Sequence, residues 1–254
     1  MGFSLSKILS NFFCCFIPKK SVRHIVREYF SRRDAWKAAA KTNTLHIPKG
    51  QERYVRLHVD GHGNHIAIKR MANGSKGILN IRLVGDRCTI VIDGSLHIGK
   101  SLDITIGQRH PNFGPVSHVA VRIGSRCSFE QASILTFNSH SSISIGSDCM
   151  ISFGVNIYNT DAHPVLDRDT GRIINRVREL SIGNHCWVGQ GAAILKNVRL
   201  GRDCIVAWGA IVSSGISREA VPEGCILAGN PASVVKRGIS WSSDGSGDYV
   251  QNAL

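Results

Sequence analysis

The chain has 254 residues and carries 31 lysines and arginines against 18 aspartates and glutamates, a formal net charge of +13. That length allows one large domain or two small ones, each able to bury a substantial core, and the charge favours an anionic partner: nucleic acid, a phospholipid surface, or an acidic metabolite or polymer. Charged residues make up 19 % of the chain, below the roughly 25 % of an average soluble domain, and glycine is abundant at 26, which excludes a protein built mostly of surface helix.

Residues 1–51 read as a basic amphipathic helical segment. An apolar run from Ile8 to Ile17 is followed by Lys19, Lys20, Arg23, Arg27, Arg32 and Arg33. The run is too short to span a bilayer, which needs about 20 apolar residues, and its flanking charges are on the wrong side for a secretory signal. Such a segment suits peripheral contact with an anionic membrane face through residues 1–40, or packing of its Leu, Ile and Phe on the main domain. The opening MGFSLS also fits the loose myristoylation pattern, with Cys14 and Cys15 as conceivable palmitoyl sites. That eukaryotic anchor is at odds with the rest of the chain.

Residues 52–237 repeat a short phrase of aliphatic, Gly, two polar residues and Cys: VGDRC at 84, IGSRC at 123, IGSDC at 145, IGNHC at 182 and LGRDC at 200. A looser first rung is VDGHGNHIAI from Val59. Ile182, Val188, Ile194, Leu200, Val206 and Val212 stand six apart. Steps of six grouped in threes predict an all-β domain, a parallel β-helix of triangular section with 18 residues per coil. The aliphatic residue and the small residue four later point inward, and Gly takes the corner conformations that side chains disfavour. Cys88, Cys127, Cys149, Cys186 and Cys204 then fill the small inward slot as compact apolar groups. No C-x-x-C pair is present, so a zinc site is poorly supported and a reducing compartment is expected. Cys186 and Cys204 fall one coil apart, about 4.8 Å, and are expected to be free thiols.

Interruptions of the repeat are more informative than the repeat itself, because a coil in register has no structural need of long excursions. One is QRHPNFGPVSH at about 108–118. The larger follows Ile157: the coil that starts at Ile145 is succeeded by one starting at Ile182, 37 residues on, so about 19 residues loop out at about 160–181. NTDAHPVLD begins this loop and makes His163 a candidate base. Asp161, two residues earlier, can fix the imidazole tautomer or close a turn on backbone amides. Arg172, Arg176 and Arg178 follow in the same loop. Trp187 and Trp208 occupy outward positions of the repeat. Residues 238–254 read as a polar tail.

The stretches ISFGVNIYNTDAHP, IGNHCWVGQGAAIL, VAWGAIV and ILAGNPASVVKR, in this order over residues 145–237, resemble the hexapeptide-repeat acyltransferases, in particular the galactoside, maltose and polysaccharide O-acetyltransferase branch. The resemblance implies a left-handed coil, against the usual crossover rule, a homotrimer with active sites between neighbouring subunits, and acetyl-CoA as donor. His163 matches the family's catalytic histidine, and a neutral imidazole can take the proton of a sugar hydroxyl as it attacks a thioester. Trp187 matches the C-W-x-G aromatic that would wall the sugar or pantetheine channel. Trp208 replaces a residue that is usually small, with subunit packing as its alternative. Gly189, Gly191, Ala207 and Gly209 would keep the groove shallow for the pantetheine. Asn230 and Pro231 belong to the G-N-P-A stretch that closes the coil, and Lys236 and Arg237 follow where the family meets the nucleotide phosphates.

The expected function is therefore acetyl-CoA-dependent O-acetylation of a bacterial surface saccharide, a capsular polysaccharide or lipopolysaccharide. The expected acceptor is an anionic polymer, with no metal and no nucleic acid involved, in the cytoplasm or on the inner face of the plasma membrane. Three alternatives use the same coil: N-acetylation of a nucleotide-linked amino sugar, a metal hydratase of the γ-carbonic-anhydrase kind with His140, His163 and His185 converging on zinc, and a non-catalytic scaffold.

Overall fold

A computed structural model describes residues 34–109, 115–214 and 220–243. The segment expected to touch a membrane, residues 1–40, lies almost wholly outside them, as do 110–114 of the first interruption and 244–254 of the tail. Among the described residues no helix is long and apolar enough to cross a membrane. Residues 34–39 are helical and lead into the coil, with Ala39 buried and Trp36 packed against the core.

The rest is a parallel β-helix with three faces. In the coil that starts at Ser142, face one is Ser142–Ile145, face two Met150–Ile151 and face three Val155–Tyr158. Each pairs in parallel with its counterpart in the neighbouring coils. Three corners separate the faces: a cysteine corner between one and two, a glycine corner between two and three, and a loop corner where face three returns to face one. Inward aliphatics such as Ile143, Ile151, Ile157, Val188 and Ile194 are wholly buried, each stabilising the coil by about 1.5–3 kcal/mol relative to exposure.

The predicted step of 18 residues holds in the last coils, where Ser181 lies beside Arg199, Trp187 beside Ile205 and Ala193 beside Ile211. Earlier coils are wider. On face one Thr44 lies beside His65 and His65 beside Thr89, steps of 21 and 24 residues. One strand, Thr89–Ile106, runs through all three faces. Leu79, Ile81 and Leu83 all point inward on face three, where a late coil places Ile194. The coil also begins earlier than the expected boundary at 52, because Thr44–His46 already pairs with His65–Met71.

The cysteine corner corrects the sequence reading twice. Cys127, Cys149, Cys186 and Cys204 stack there, each thiol donating to a carbonyl one coil on, those of Gly146, Gly183, Gly201 and Pro222, at 3.0, 3.2, 3.2 and 3.2 Å. Cys225 completes this column, whereas Cys88 does not belong to it: it precedes Thr89 on face one and so sits at the loop corner. All six thiols are buried and free. The glycines of the phrase also have another cause than the one expected. A Cβ on Gly124, Gly146, Gly183 or Gly201 would lie 2.5–2.7 Å from the backbone nitrogen of Ser147, Asn184, Arg202 or Glu223 in the next coil. These residues are Gly because coils touch there. The left-handed conformation falls instead on Arg126, Asp148, His185 and Asp203, with φ of 57, 61, 54 and 58°, residue types among which Asp and His tolerate it best. At the glycine corner Gly154, Gly191 and Gly209 take it themselves, as Gly224 does before Cys225.

Candidate active site

Strand Val155–Tyr158 delivers the chain to the loop corner, where Asn159 is wholly buried. Its amide donates to the carbonyls of Ser142 (2.9 Å) and Arg178 (3.2 Å) and accepts from the backbone N–H of Asn197 (3.2 Å). Arg178 directly precedes the strand Glu179–Ile182. One buried amide therefore clips both ends of the 19-residue excursion to the coil.

Inside the excursion Ala162 is left-handed, and His163 N–H donates to the Asp161 carbonyl at 2.7 Å, so the chain turns sharply where the histidine emerges. The Thr160 hydroxyl supports the turn by donating to Asn138 and accepting from Ala162 N–H. A short hairpin follows, with Leu166 bridged to Ile173 and Ile174 N–H donating to the Val165 carbonyl at 2.9 Å. Asn175 on its returning arm donates to the Asp161 carboxylate (2.7 Å) and the His163 carbonyl (2.9 Å), and accepts from Val165 N–H (2.8 Å). Lys196, from the next coil, forms an ion pair with the same Asp161 oxygen. Burial raises the Asp161 carboxyl, but the hydrogen bonds from Lys196 and Asn175 and the Lys196 charge outweigh it and hold the group below its ordinary range. Asp161 thus anchors the loop through two side chains, in place of the backbone amides expected of a turn-closing Asp.

These residues enclose an open cleft of about 440 Å³, lined among others by Phe137, Asn138, Asp161, His163, Asn175 and Arg176. His163 is exposed to it. Of the four loop arginines only Arg176 lines it, and its guanidinium makes no ion pair among the described residues. A saccharide hydroxyl in this cleft would meet an imidazole on a pinned backbone and one available cation.

The other sequence candidates lie elsewhere. Trp187 heads Trp187–Val188 on face two, 37 % exposed, between Met150 and Ile205; Trp208 stands 74 % exposed at the glycine corner. A Cβ on Gly189 would sit 2.8 Å from the Trp208 nitrogen, so coil contact requires that glycine, while Gly191 and Gly209 are the left-handed corner residues and only Gly209 faces open space. Ala207 packs against the core. Asn230 and Pro231, joined by a cis peptide, turn the antiparallel hairpin of Cys225–Gly229 and Ala232–Arg237 that ends the coil. Lys236 lies beside Ile226, which continues the column of Trp187 and Ile205. Trp187, Lys236 and Arg237 therefore share face two, across the coil from the loop corner of His163. A single chain does not gather them around one cleft.

One residue of the expected tail belongs to this second surface. Trp241 donates its indole N–H to the His185 carbonyl at 2.8 Å and stacks on the His185 ring, centroids 4.4 Å apart and planes 5° apart. Its ring lies 6.0 Å from that of Trp187. His185 is held in turn by Asp203, Nδ1 to Oδ1 2.7 Å, and Ile239 N–H donates to the Gly224 carbonyl. The tail thus starts as a strap over the cysteine corner. With His185 there and His140 stacked on His118 at the loop corner, the three histidines required by the hydratase reading do not converge. Among the described residues no group of three or more His, Cys, Asp or Glu is placed to hold a metal ion.

No family profile matches the chain. It is 33 % identical over 117 residues to the polysialic acid O-acetyltransferase of Neisseria meningitidis, covering 44 % of this chain and 54 % of that protein. It is 32 % identical over 110 residues to the polysialic acid O-acetyltransferase of Escherichia coli O1:K1, covering 43 % of this chain and 34 % of that protein. The match thus spans about half or less of these relatives. Among solved structures it is similar to the polySia specific acetyltransferase NeuO, with a TM-score of 0.57 and 25 % identity over 76 % of this chain and 91 % of that one. The fold is the left-handed parallel β-helix. Within that fold its similarities are to O-acetyltransferases with hexapeptide repeats.

Proposed function

We propose that the protein transfers acetyl from acetyl-CoA to a hydroxyl of an anionic bacterial surface saccharide, with His163 as general base. The observation that carries this is His163 itself: exposed in an open cleft, on a backbone fixed by Asn175, Asp161 and Asn159, with Arg176 lining the same cleft. His163 takes the hydroxyl proton as the oxygen attacks the thioester carbonyl; the C–S bond then breaks, and the imidazolium returns the proton to the departing thiolate. Both relatives are named for polysialic acid, a polymer of carboxylate sugars, and an arginine in the same cleft as the base suits such an acceptor.

Acetyl-CoA fits face two. The half-exposed Trp187 offers an apolar wall to the pantetheine, Gly209 leaves the corner open, and Lys236 and Arg237 are exposed cations for the phosphates. Since this surface and His163 lie on opposite sides of one coil, the reading requires a closed homotrimer in which one copy supplies the base and its neighbour the donor surface. Capsule or lipopolysaccharide assembly places the enzyme in the cytoplasm, at the inner face of the plasma membrane, with residues 1–40 as its contact.

The test is free-thiol release from acetyl-CoA with polysialic acid as acceptor. His163→Ala is expected to lower turnover by about 10²-fold or more with unchanged melting temperature and oligomeric state. Near-normal turnover in that variant would remove His163 from the mechanism.

A further inference from the structure

We infer that the polymer is held at a second subsite, a groove on face three of the amino-terminal coils lined by Arg56, His58, Arg82 and Gln108, which continues the cleft at His163. The inference rests on the reading that the acceptor is an anionic saccharide, and it names where the chain beyond the reacting sugar lies.

The groove measures about 550 Å³, more than the cleft at the base. It is built from outward side chains of three successive strands, Val55–Asp60, Ile78–Asp86 and Thr89–Ile106. Their register makes two columns: Arg56, Asn80 and Asp103, then His58, Arg82 and Thr105. Cations thus stand together at one end. Asp103 is the one carboxylate of the lining, and its two oxygens accept from Asn80 (2.7 Å) and Ser101 (3.0 Å). Asp60, at the end of the first strand, is taken by Arg109. Arg82 makes no ion pair among the described residues, so the groove keeps an uncompensated guanidinium, as Arg176 does in the His163 cleft.

The register brings the two depressions onto paired strands: Ile106 lies beside Thr136, so Gln108 of the groove and Asn138 of the cleft each follow by two residues strands that run side by side. Along the column of Arg82, Thr105 lies beside Leu135 and Leu135 beside Tyr158, the strand that delivers the His163 loop. Arg82 is therefore three coils from that strand, roughly 15 Å. One sugar cannot reach from His163 to Arg82, but a chain of a few sugars can. Binding at both points raises the effective concentration of the reacting unit beside the base, and the two cations extend one positive field along the edge that leads there.

The experiment compares the full-length wild type with the double variant Arg56→Gln, Arg82→Gln, at saturating acetyl-CoA, with long polysialic acid and with a sialic acid dimer. The double variant is expected to raise KM for the polymer about 3- to 10-fold at low salt, the scale of two exposed, screened charge contacts. kcat and the dimer KM should not change, and the polymer effect should vanish at high salt. An unchanged polymer KM, or an equal rise for polymer and dimer, overturns the inference. A titration of fluorescently labelled polysialic acid without acetyl-CoA separates this from the acetylation reading. If the wild type releases no thiol with either acceptor, that reading fails, while weaker polymer binding by the double variant still supports the groove. No polymer binding by the wild type, or equal binding by both proteins, overturns the groove.

Discussion

The cysteine corner and the loop corner are two edges of the same coil, and they solve the same geometric problem. At both, a residue in left-handed conformation precedes a small or aliphatic inward residue: Arg126, Asp148, His185 and Asp203 at the first, Arg87, His118, His140 and Asn197 at the second. At the cysteine corner the later coils turn in five residues each, and coils approach so closely that Gly124, Gly146, Gly183 and Gly201 have no room for a side chain. At the loop corner the turn is opened twice and its polar groups are buried amides and hydroxyls, Asn64, Thr136, Ser141 and Asn159. An edge that only turns repeats one phrase; an edge that must release a loop and recapture it needs side chains that satisfy backbone groups at the junction. The candidate chemistry is on the second kind of edge.

The largest expected effect that would break this contrast is on the repeating edge. Gly183→Ala drives a Cβ to 2.5 Å from the Arg202 nitrogen, so the coils must part, at a cost of about 3 kcal/mol or more. Gly209→Ala meets nothing within 4 Å and strains only its left-handed backbone, for about 1–2 kcal/mol. Urea unfolding of the two variants checks the order, and equal losses would refute the close-contact account of the phrase. On the loop edge, Asn159→Ala leaves two carbonyls and one N–H unpaired and should cost about 1–3 kcal/mol, with faster amide exchange confined to 160–178. A loss of stability without that local signature would contradict the clip.

Smaller effects concern the strap and the anchor. Trp241→Ala frees Trp187 and is expected to raise KM for acetyl-CoA about 3-fold, the scale of one aromatic pair, with kcat unchanged; Trp241→Phe should restore most of it. A fall in kcat with constant KM would mean that Trp241 does not act through Trp187. Asp161 gives the loop a pH dependence of stated sign. Its folded pKa is depressed, so its contribution is complete above the ordinary carboxylate value near 4 and is lost as pH falls through the lower folded value. Proteolysis of the 160–178 loop should accelerate below about pH 4, and Asp161→Asn should show that fast cleavage already at neutral pH.

How much of this was legible in the sequence depended on distance along the chain. The six-residue step from Ile182 to Val212 is local, and it predicted the β-helix that the structure has. Wider coils hid the same rule: VGDRC looks like a rung of the ladder, yet Gly85 lies beside Val116 and Cys88 falls on another corner. His163 stood out because an interruption of a regular pattern is itself a signal. Its supports did not, since Asn175 is 14 residues from Asp161, Lys196 is 35, and Asn197 is 38 from Asn159. No local pattern marks side chains that meet only when coils stack. Trp241 did carry a sign, a lone indole in a tail of Gly, Ser and Asp, where an aromatic of that size calls for a packing partner.

The central claim is that the base and the donor surface of one site come from two copies, because one coil holds them on opposite sides. Co-assembly of His163→Ala with Trp187→Ala subunits, denatured together and refolded as mixed oligomers, tests it directly. If the sites form between neighbours, random mixing leaves about a quarter of the interfaces with both native residues, so at acetyl-CoA below its KM the mixture should release thiol faster than the two variants refolded apart. A mixture no more active than the two variants refolded apart would show that each chain completes its own site, and would contradict the account.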